Sequence, residues 1–174
     1  IRKATTMDVP NIVSIYDAIH TEEEQGHAII GWKRNIYPVE KTAADAVRRG
    51  DMFVMEDKNE IVATAIINQT QVPEYADCHW QFTADKEEVM VIHTLIVNPS
   101  KKGRGYGTAF VRFYERYARE HHCPYLRMDT NAINLAARKM YASLGYSEPA
   151  IVNCIFNGIP NVRLVCLEKK IIIE

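Results

Sequence analysis

A continuous apolar run followed by a glycine-rich turn constrains the fold of this chain more than any other feature. Residues 89–97, VMVIHTLIV, are apolar at nearly every position, which predicts a central strand buried on both faces. Asn98 and Pro99 end this strand, and the stretch KKGRGYGTAF at 101–110 follows it. Apolar residues at 110, 113, 114 and 117 then keep helical spacing. A strand, a tight turn and a helix in this order predict an α/β fold.

The turn itself has the chemistry of an anion-binding site. Glycines permit unusual backbone angles and close approach, and the free N–H groups of the first helical turn, together with the helix dipole, favour negative charge. Lys101, Lys102 and Arg104 add full positive charges. Neither the P-loop pattern nor the G-x-G-x-x-G dinucleotide pattern matches the G-x-G-x-G spacing found here. The loop alone therefore supports a phosphate site and a plain glycine turn equally.

The rest of the chain predicts a single domain over residues 1–174. The first helix begins at Thr6 or Asp8 and ends at the charged run EEEQG, and a second helix is predicted within 31–50. A third helix follows the glycine turn, and a fourth spans 134–144, where Gly145 ends it. The remaining predicted strands lie at 2–4, 51–57, 60–68, 124–130, 151–156 and 162–168. Residues 69–87 form a long polar connection.

The composition limits the partners, the location and the metal use expected of this protein. The formal net charge of −1 provides no global attraction to nucleic acid or to a membrane, so we expect neither as a partner. No apolar run approaches the roughly 20 residues that span a bilayer, and the N-terminus lacks the pattern of a secretory signal. Four scattered cysteines are expected to be reduced thiols, which predicts a cytoplasmic protein. The adjacent residues His121, His122 and Cys123 cannot easily share one tetrahedral ion, so no metal is expected.

Two segments together resemble the GCN5-related N-acetyltransferase (GNAT) superfamily. LIVNPSKKGRGYGTAF matches the pyrophosphate-binding pattern of that family, Gln/Arg-x-x-Gly-x-Gly/Ala, with Lys102 at the Gln/Arg position and Gly105 and Gly107 at the glycine positions. NAINLAARKMYASLGY matches a second pattern of the family, a helix with the spacing Asn-x-x-Ala-x-x-Leu/Met-Tyr-x-x-x-Gly-Phe/Tyr. Its matching residues are Asn134, Ala137, Met140, Tyr141, Gly145 and Tyr146. Both patterns in the expected order make the resemblance specific.

The resemblance implies a fold and a cofactor. The fold would be a single α/β (α+β) acyl-CoA N-acyltransferase domain, whose mixed, mostly antiparallel sheet has two splayed parallel strands and flanking helices. The glycine loop would bind the pyrophosphate of acetyl-CoA, and the strand ending at Val97 would pair with the pantetheine arm through main-chain groups. Lysine at 102 is a mild departure, because the contact there is largely through backbone N–H groups. The residues expected at coenzyme A are Leu95, Ile96, Val97, Lys102, Gly103, Arg104, Gly105, Tyr106, Gly107, Thr108, Asn134 and Tyr141.

The motif also implies a catalytic acid. Acetyl transfer to an amine expels a thiolate, and a phenol with a reference pKa of about 10 stays protonated and can donate to it. Tyr141 is expected in this role, and without the motif it would be interpreted as a core tyrosine on an apolar helical stripe. Asn134 either contacts the cofactor or caps its helix.

The attacking amine must lose a proton, which predicts a base. Strict alternation would place Val91, His93, Leu95 and Val97 on one face of their strand, which makes His93 a candidate beside the cofactor. Glu88, at the entry of the strand, is the second candidate and would act through water. The alternatives are a core histidine and a solvated acidic turn.

The predicted function is a metal-independent transfer of acyl groups other than amino-acyl groups (EC 2.3.1.-). Acetyl-CoA would donate directly, in a ternary complex, to the primary amine of a small molecule. Aromatic residues near the second helix and in the 69–87 connection are the expected acceptor contacts: Trp32, Tyr37, Tyr75 and Trp80. Three alternatives stay open, namely acetylation of protein N-termini or lysines, a non-catalytic coenzyme A sensor, and nucleotide binding. An exposed strand edge would permit a homodimer.

Overall fold

Seven strands form one sheet in the computed structural model, which describes residues 1–173. Their order across the sheet is β1-β2-β3-β4-β5-β7-β6. The strands are β1 (Arg2–Lys3), β2 (Met52–Asp57), β3 (Glu60–Asn68), β4 (Val89–Val97), β5 (Tyr125–Asn131), β6 (Ser147–Phe156) and β7 (Ile159–Lys170). The α-helices are α1 (Val9–Glu24), α2 (Glu40–Arg49), α3 (Tyr106–Glu120) and α4 (Leu135–Ser143). Within the described residues β4 and β5 form the one parallel pair, so the predicted mixed, mostly antiparallel sheet is confirmed.

The second helix lies within the predicted range 31–50 and occupies its second half, Glu40–Arg49. Residues 25–39 are irregular and form what we call the α1–α2 loop, and α2 begins at Glu40 after Pro38. A residue before proline is biased away from helical angles, and Gly31 and Asn35 both have positive φ, at 89° and 64°. The loop is therefore free to lie over the sheet instead of extending α2.

Strands β4 and β5 separate after a short stretch of pairing. They pair only from Val89 with Tyr125 to Val91 with Arg127. Beyond these positions β4 continues along β3 as far as Val97, whereas β5 continues along β7 as far as Asn131. A V-shaped gap consequently opens in the middle of the sheet, which confirms the predicted splay of the parallel pair.

A bulge in β4 overturns the alternation expected for this strand. His93 lies opposite Ile66, but Ile96 lies opposite Thr64, so β4 contains one extra residue. Thr94, at the bulge, has a φ of 53°. Because of this extra residue, the odd-numbered side chains point to one face of the sheet before the bulge and to the opposite face after it.

The packing of β4 shows the consequence. Leu95 and Val97 pack into the core beneath α3, with Met90 and Ile92, whereas Val91 packs on the other side of the sheet. The prediction that Val91, His93, Leu95 and Val97 share one face is therefore wrong. Alternation holds only along an unbroken ladder, and the bulge moves every residue after it to the other face.

Helices cover both faces of the sheet. On one face α3 contributes Phe110 and Tyr114, both fully buried, and Tyr114 Oη donates to the carbonyls of Met90 and Arg127 on the paired section of β4 and β5. On the other face α1 contributes Ile12 and Tyr16 to a core shared with α2. Among the described helices, none is both long and apolar enough to cross a membrane.

Candidate active site

A cavity of about 500 Å³ occupies the gap between β4 and β5. The two diverging strands form its sides, and α4 closes one end with Asn134 and Tyr141. The α1–α2 loop covers it with Trp32 and Tyr37, and the β6–β7 hairpin supplies an apolar wall. Helix α4, which carries the second family pattern, and the splayed strands thus meet at the same cavity.

The glycine loop lies beyond the end of β4, where α3 begins. Gly103 and Gly105 have φ values of 78° and 80°, a conformation that side chains other than glycine rarely adopt. A Cβ atom at either position would meet no other atom within 4 Å, so the space above the loop is open. Gly107 serves packing instead, because a Cβ there would lie 3.1 Å from Met140 Sδ of α4. Two glycines therefore shape an open loop and the third allows α3 to approach α4.

Charged groups around the loop are only partly paired. Lys101 forms an ion pair with Glu60, and Tyr106 Oη donates to Asp57 at 2.5 Å. Lys102 has a side chain 72% exposed, with Nζ 3.9 Å from a Glu22 carboxylate oxygen. The N–H groups at the start of α3 lack intrahelical acceptors and carry the positive end of the helix dipole. The loop can therefore receive an anion through its backbone, with Lys102 available beside it.

Tyr141 faces the cavity from α4. Its side chain is buried, and burial raises the pKa of its phenol well above the usual value, with the Asp129 carboxylate adding a smaller contribution. The hydroxyl stays protonated at neutral pH and forms no hydrogen bond to any residue in 1–173. This is the state required of a proton donor.

Asn134 is the N-cap of α4. Its side-chain oxygen accepts a hydrogen bond from the Ala137 N–H at 3.2 Å, so the capping interpretation is confirmed. Asn134 also lines the cavity, and a contact with coenzyme A stays a prediction.

The two predicted bases lie in different places. His93 lines the cavity, and its Nε2 lies 3.1 Å from Asn68 Oδ1. Burial lowers the pKa of His93 to about 4, so the ring is neutral at pH 7 and weakly basic. Glu88 lies at the opposite end of β4 from the gap, bonded to the Asp85 N–H at 3.2 Å, and does not line the cavity. The structure therefore brings His93, and not Glu88, to the site.

The predicted acceptor contacts also divide into two pairs. Trp32 and Tyr37 line the cavity, edge to face at 6.1 Å, and Tyr37 Oη is hydrogen-bonded to Thr94 Oγ1 at the bulge. Tyr75 and Trp80 lie behind the wall, where Trp80 packs against Tyr75 and the Arg127 guanidinium lies 4.2 Å from the Trp80 ring centre. The 69–87 connection instead reaches the cavity through Thr70 and Val72.

Asp129 is a site residue that the sequence pattern did not predict. This carboxylate projects from β5 into the cavity, two residues beyond the last pair with β4, and accepts a hydrogen bond from Tyr75 Oη at 2.7 Å. Burial raises the pKa of Asp129 to about 6, although the Tyr75 hydrogen bond acts in the opposite direction. The signal in the sequence was a charged residue inside the otherwise apolar strand LRMDT.

Comparison with known proteins agrees with this geometry. The family model described as "Acetyltransferase (GNAT) family" matches residues 12–146, and the chain therefore belongs to the GNAT family of acetyltransferases. An uncharacterised N-acetyltransferase of Methanocaldococcus jannaschii is 33% identical over 76 residues, which are 44% of this chain and 34% of that protein. The chain thus matches about a third of the length of this curated relative.

Solved structures of similar fold extend over nearly the whole chain. A GNAT-family acetyltransferase of Streptococcus agalactiae superposes with a TM-score of 0.81 at 19% identity, covering 98% of this chain and 94% of that one. A Salmonella typhimurium protein solved with its cofactor acetyl-CoA has a TM-score of 0.70 at 15% identity, covering 97% and 91%. A ribosomal-protein-alanine N-acetyltransferase of Brucella melitensis has a TM-score of 0.70 at 19% identity, covering 98% of each chain. At these identities the likeness shows the fold alone.

Proposed function

We propose that this protein is a cytoplasmic, metal-independent N-acetyltransferase that moves an acetyl group from acetyl-CoA directly to the primary amine of a small molecule. The observation that carries the proposal is that Tyr141 and the β4–β5 gap line one cavity, while the glycine loop follows the end of β4 and leads into α3. The proposal includes a ternary complex, in which donor and acceptor would occupy this cavity together.

The residues fit the cofactor at both ends. The open space above Gly103 and Gly105 and the free N–H groups of α3 suit a pyrophosphate. Within residues 1–173, the side of β4 that faces β5 has no strand partner beyond Val91, so its main chain can pair with an extended amide-containing arm. Acetyl-CoA supplies the activated acetyl group as a thioester.

Proton transfer at the leaving sulfur is assigned to Tyr141. The attacking amine forms a C–N bond as the C–S bond breaks, and the departing thiolate takes the phenolic proton. The raised pKa keeps Tyr141 protonated at neutral pH, so its hydroxyl can donate to the sulfur as negative charge develops there. His93, neutral and hydrogen-bonded to Asn68, is placed to orient a polar group of the acceptor.

The α1–α2 loop favours a small acceptor. Glu23 accepts the N–H groups of Ile30 and Gly31 at 2.7 and 2.8 Å, which holds the loop over the cavity. A Cβ added at Gly31 would lie 2.4 Å from Asn131 Nδ2, so the loop sits directly on β5. A compact molecule fits beneath this cover more readily than a folded protein surface does.

The first test is thiol release from acetyl-CoA over a panel of amines, with Tyr141→Phe beside the wild type. Turnover should fall by about 10²–10⁴-fold, whereas acetyl-CoA affinity, measured by isothermal titration, should change by less than about twofold. Tyr117→Phe is the matched control, because its ring packs against Phe53 and Phe113 outside the cavity. Equal loss of affinity and turnover in Tyr141→Phe would assign Tyr141 to structure alone.

A second test places the pyrophosphate. Gly105→Trp should abolish acetyl-CoA binding, because it fills the open loop. Gly50→Trp, at a left-handed position that ends α2, imposes the same backbone strain away from the loop and should bind normally. Binding without any turnover over amines and peptides would favour the coenzyme A sensor, and turnover confined to peptides would favour a protein acceptor.

A further inference from the structure

Asp129 is a partly buried carboxylate that lines the cavity without an ion-pair partner among residues 1–173. Its Oδ2 accepts from Tyr75 Oη at 2.7 Å, and no Lys, Arg or His within residues 1–173 forms an ion pair with it. Its second oxygen, Oδ1, has no hydrogen-bond partner in the same part of the chain, and Asp129 is one of the residues that line the cavity. Carboxylates removed from water are ordinarily paired with a positive group. The missing partner therefore points to a cationic ligand.

The position of Asp129 suits the acceptor side of the reaction. It lies on β5 just past the point where β5 leaves β4, and it shares the cavity with Tyr141 and Tyr37. Burial, and to a smaller extent the charge of Asp129, raises the pKa of both tyrosines. The charge of Asp129 thus affects the pKa of the predicted proton donor, Tyr141, and of a predicted acceptor contact, Tyr37.

Within residues 1–173, Arg49 is the one lysine or arginine that lines the cavity, and it forms an ion pair with Asp51, with Nε 3.0 Å from Oδ2. His93 lies across the same cavity with a lowered pKa and is neutral above pH 5. The other titratable groups that face Asp129 come from the 69–87 connection, the α1–α2 loop, α4, β6 and β7, and they are Tyr75, Glu74, Tyr37, Tyr141, Cys154 and Cys166. None of these groups is a cation, and Arg49 is paired with Asp51, so the positive partner of Asp129 would come from a ligand.

We propose that Asp129 binds the ammonium group of the acceptor and accepts its proton, with Tyr75 fixing the carboxylate, and that the acceptor is a compact primary amine that enters protonated. The proposal rests on the proposed acetyl transfer. Ile159, Val162 and Leu164 of the β6–β7 hairpin line the same cavity, so the carbon attached to the nitrogen is expected to be apolar.

The proton balance closes with these groups. The ammonium gives one proton to Asp129 Oδ1, and the freed nitrogen lone pair attacks the thioester carbonyl carbon. The C–N bond forms, the C–S bond breaks, and Tyr141 gives its proton to the sulfur. The second proton on nitrogen returns to Tyr141, and Asp129 releases the first one to solvent. The sum is an amide, a thiol and one proton.

Asp129→Asn is the direct test, with Asp77→Asn as the matched control. Asp77 is exposed on the same connection that carries Tyr75, and it undergoes the same chemical change. For an amine acetylated by the wild type, Asp129→Asn should lower kcat/KM by about 10²–10⁴-fold at pH 7. Affinity for acetyl-CoA should stay within about twofold, which shows that the fold and the cofactor site are intact.

The pH profile separates a catalytic from a merely structural role. Wild-type kcat/KM should fall as the pH drops through about 6, where Asp129 becomes protonated. Tyr75→Phe removes a hydrogen bond that favours the charged carboxylate, so this limb should move to higher pH, and Tyr117→Phe should leave it unchanged. The proposal is overturned if Asp129→Asn keeps both its activity and the acidic limb, or if the limb disappears in His93→Gln.

A binding measurement distinguishes failure of this inference from failure of the proposed function. The ¹³C carboxyl resonance of Asp129, assigned by its loss in Asp129→Asn, is followed while n-butylamine is added to the complex with coenzyme A. A shift that neutral n-butanol does not produce supports the ammonium site, even for a protein that acetylates no amine in the panel. No shift with n-butylamine refutes the site, even for a protein that acetylates other amines.

Discussion

Glu168→Gln is expected to lower the free energy of unfolding by about 3 kcal/mol, because it leaves the Arg127 guanidinium buried without its counter-charge. The two residues face each other in the β5–β7 register, with Arg127 Nε 3.2 Å from Glu168 Oε1. Their side chains are 7% and 0% exposed. The pair also holds the 69–87 connection, since Glu168 accepts the N–H groups of Gln81 and Phe82.

The geometry sets the magnitude of this loss. Removing one partner of a buried ion pair ordinarily costs about 3–5 kcal/mol. A glutamine at 168 can keep its oxygen toward the Gln81 and Phe82 N–H groups, and Arg127 keeps its hydrogen bonds to Gln71 and to the Phe82 carbonyl. These surviving contacts place the expected value at the lower limit, about 3 kcal/mol. With a urea m-value of about 2 kcal/mol/M, the midpoint should move down by about 1.5 M.

Equilibrium urea unfolding, followed by tryptophan fluorescence, measures this shift. Glu148→Gln is the control, because Arg138 and Glu148 form an equally close pair, 2.7 Å, whose side chains are 28% and 27% exposed. Such partly exposed pairs contribute about 0–1 kcal/mol, so the control midpoint should move by less than about 0.5 M. Equal shifts in the two variants would refute the argument that burial decides the cost.

Three further predictions concern local contacts. Asp8→Asn should destabilise the protein at pH 7, because Arg2 holds the pKa of Asp8 well below its usual value. The difference in unfolding free energy from the wild type should shrink as the pH falls below about 4, and urea midpoints at several pH values measure it. Asn134→Ala should cost about 1 kcal/mol by loss of the α4 cap whereas Asn134→Ser retains it, and matched losses in thermal unfolding would contradict the capping role. Gly31→Ala should raise KM for the acceptor severalfold through its clash with Asn131, and an unchanged KM would place the acceptor elsewhere.

Most of the candidate cofactor site could be inferred from the sequence. The motif residues of the glycine loop and of α4 are close together along the chain, and their conformation depends on local rules. Position 105 favours glycine because the backbone φ there is positive, and position 134 favours asparagine because its side chain caps α4. Neither depends on a distant partner, so spacing was sufficient to place both.

The acceptor side could not be inferred in the same way. The sequence pointed to Tyr75 as a substrate contact, and the structure places it behind the wall as the hydrogen-bond partner of Asp129, 54 residues away in the chain. It also pointed to Glu88, which β4 carries to the far end of the strand. Contacts of this kind arise from the path of a long connection across the sheet, which has no local signature.

The sequence by itself determined the period of each element, the turns that end them and the open loop at the start of α3, because propensity, capping and positive φ are local properties. Only the tertiary structure decided which side chains share the cavity. The bulge at Thr94 reverses the faces of β4, and the early parting of β4 from β5 exposes Asp129 to the gap. Strand register and packing settle both features, and they depend on residues far apart in the chain.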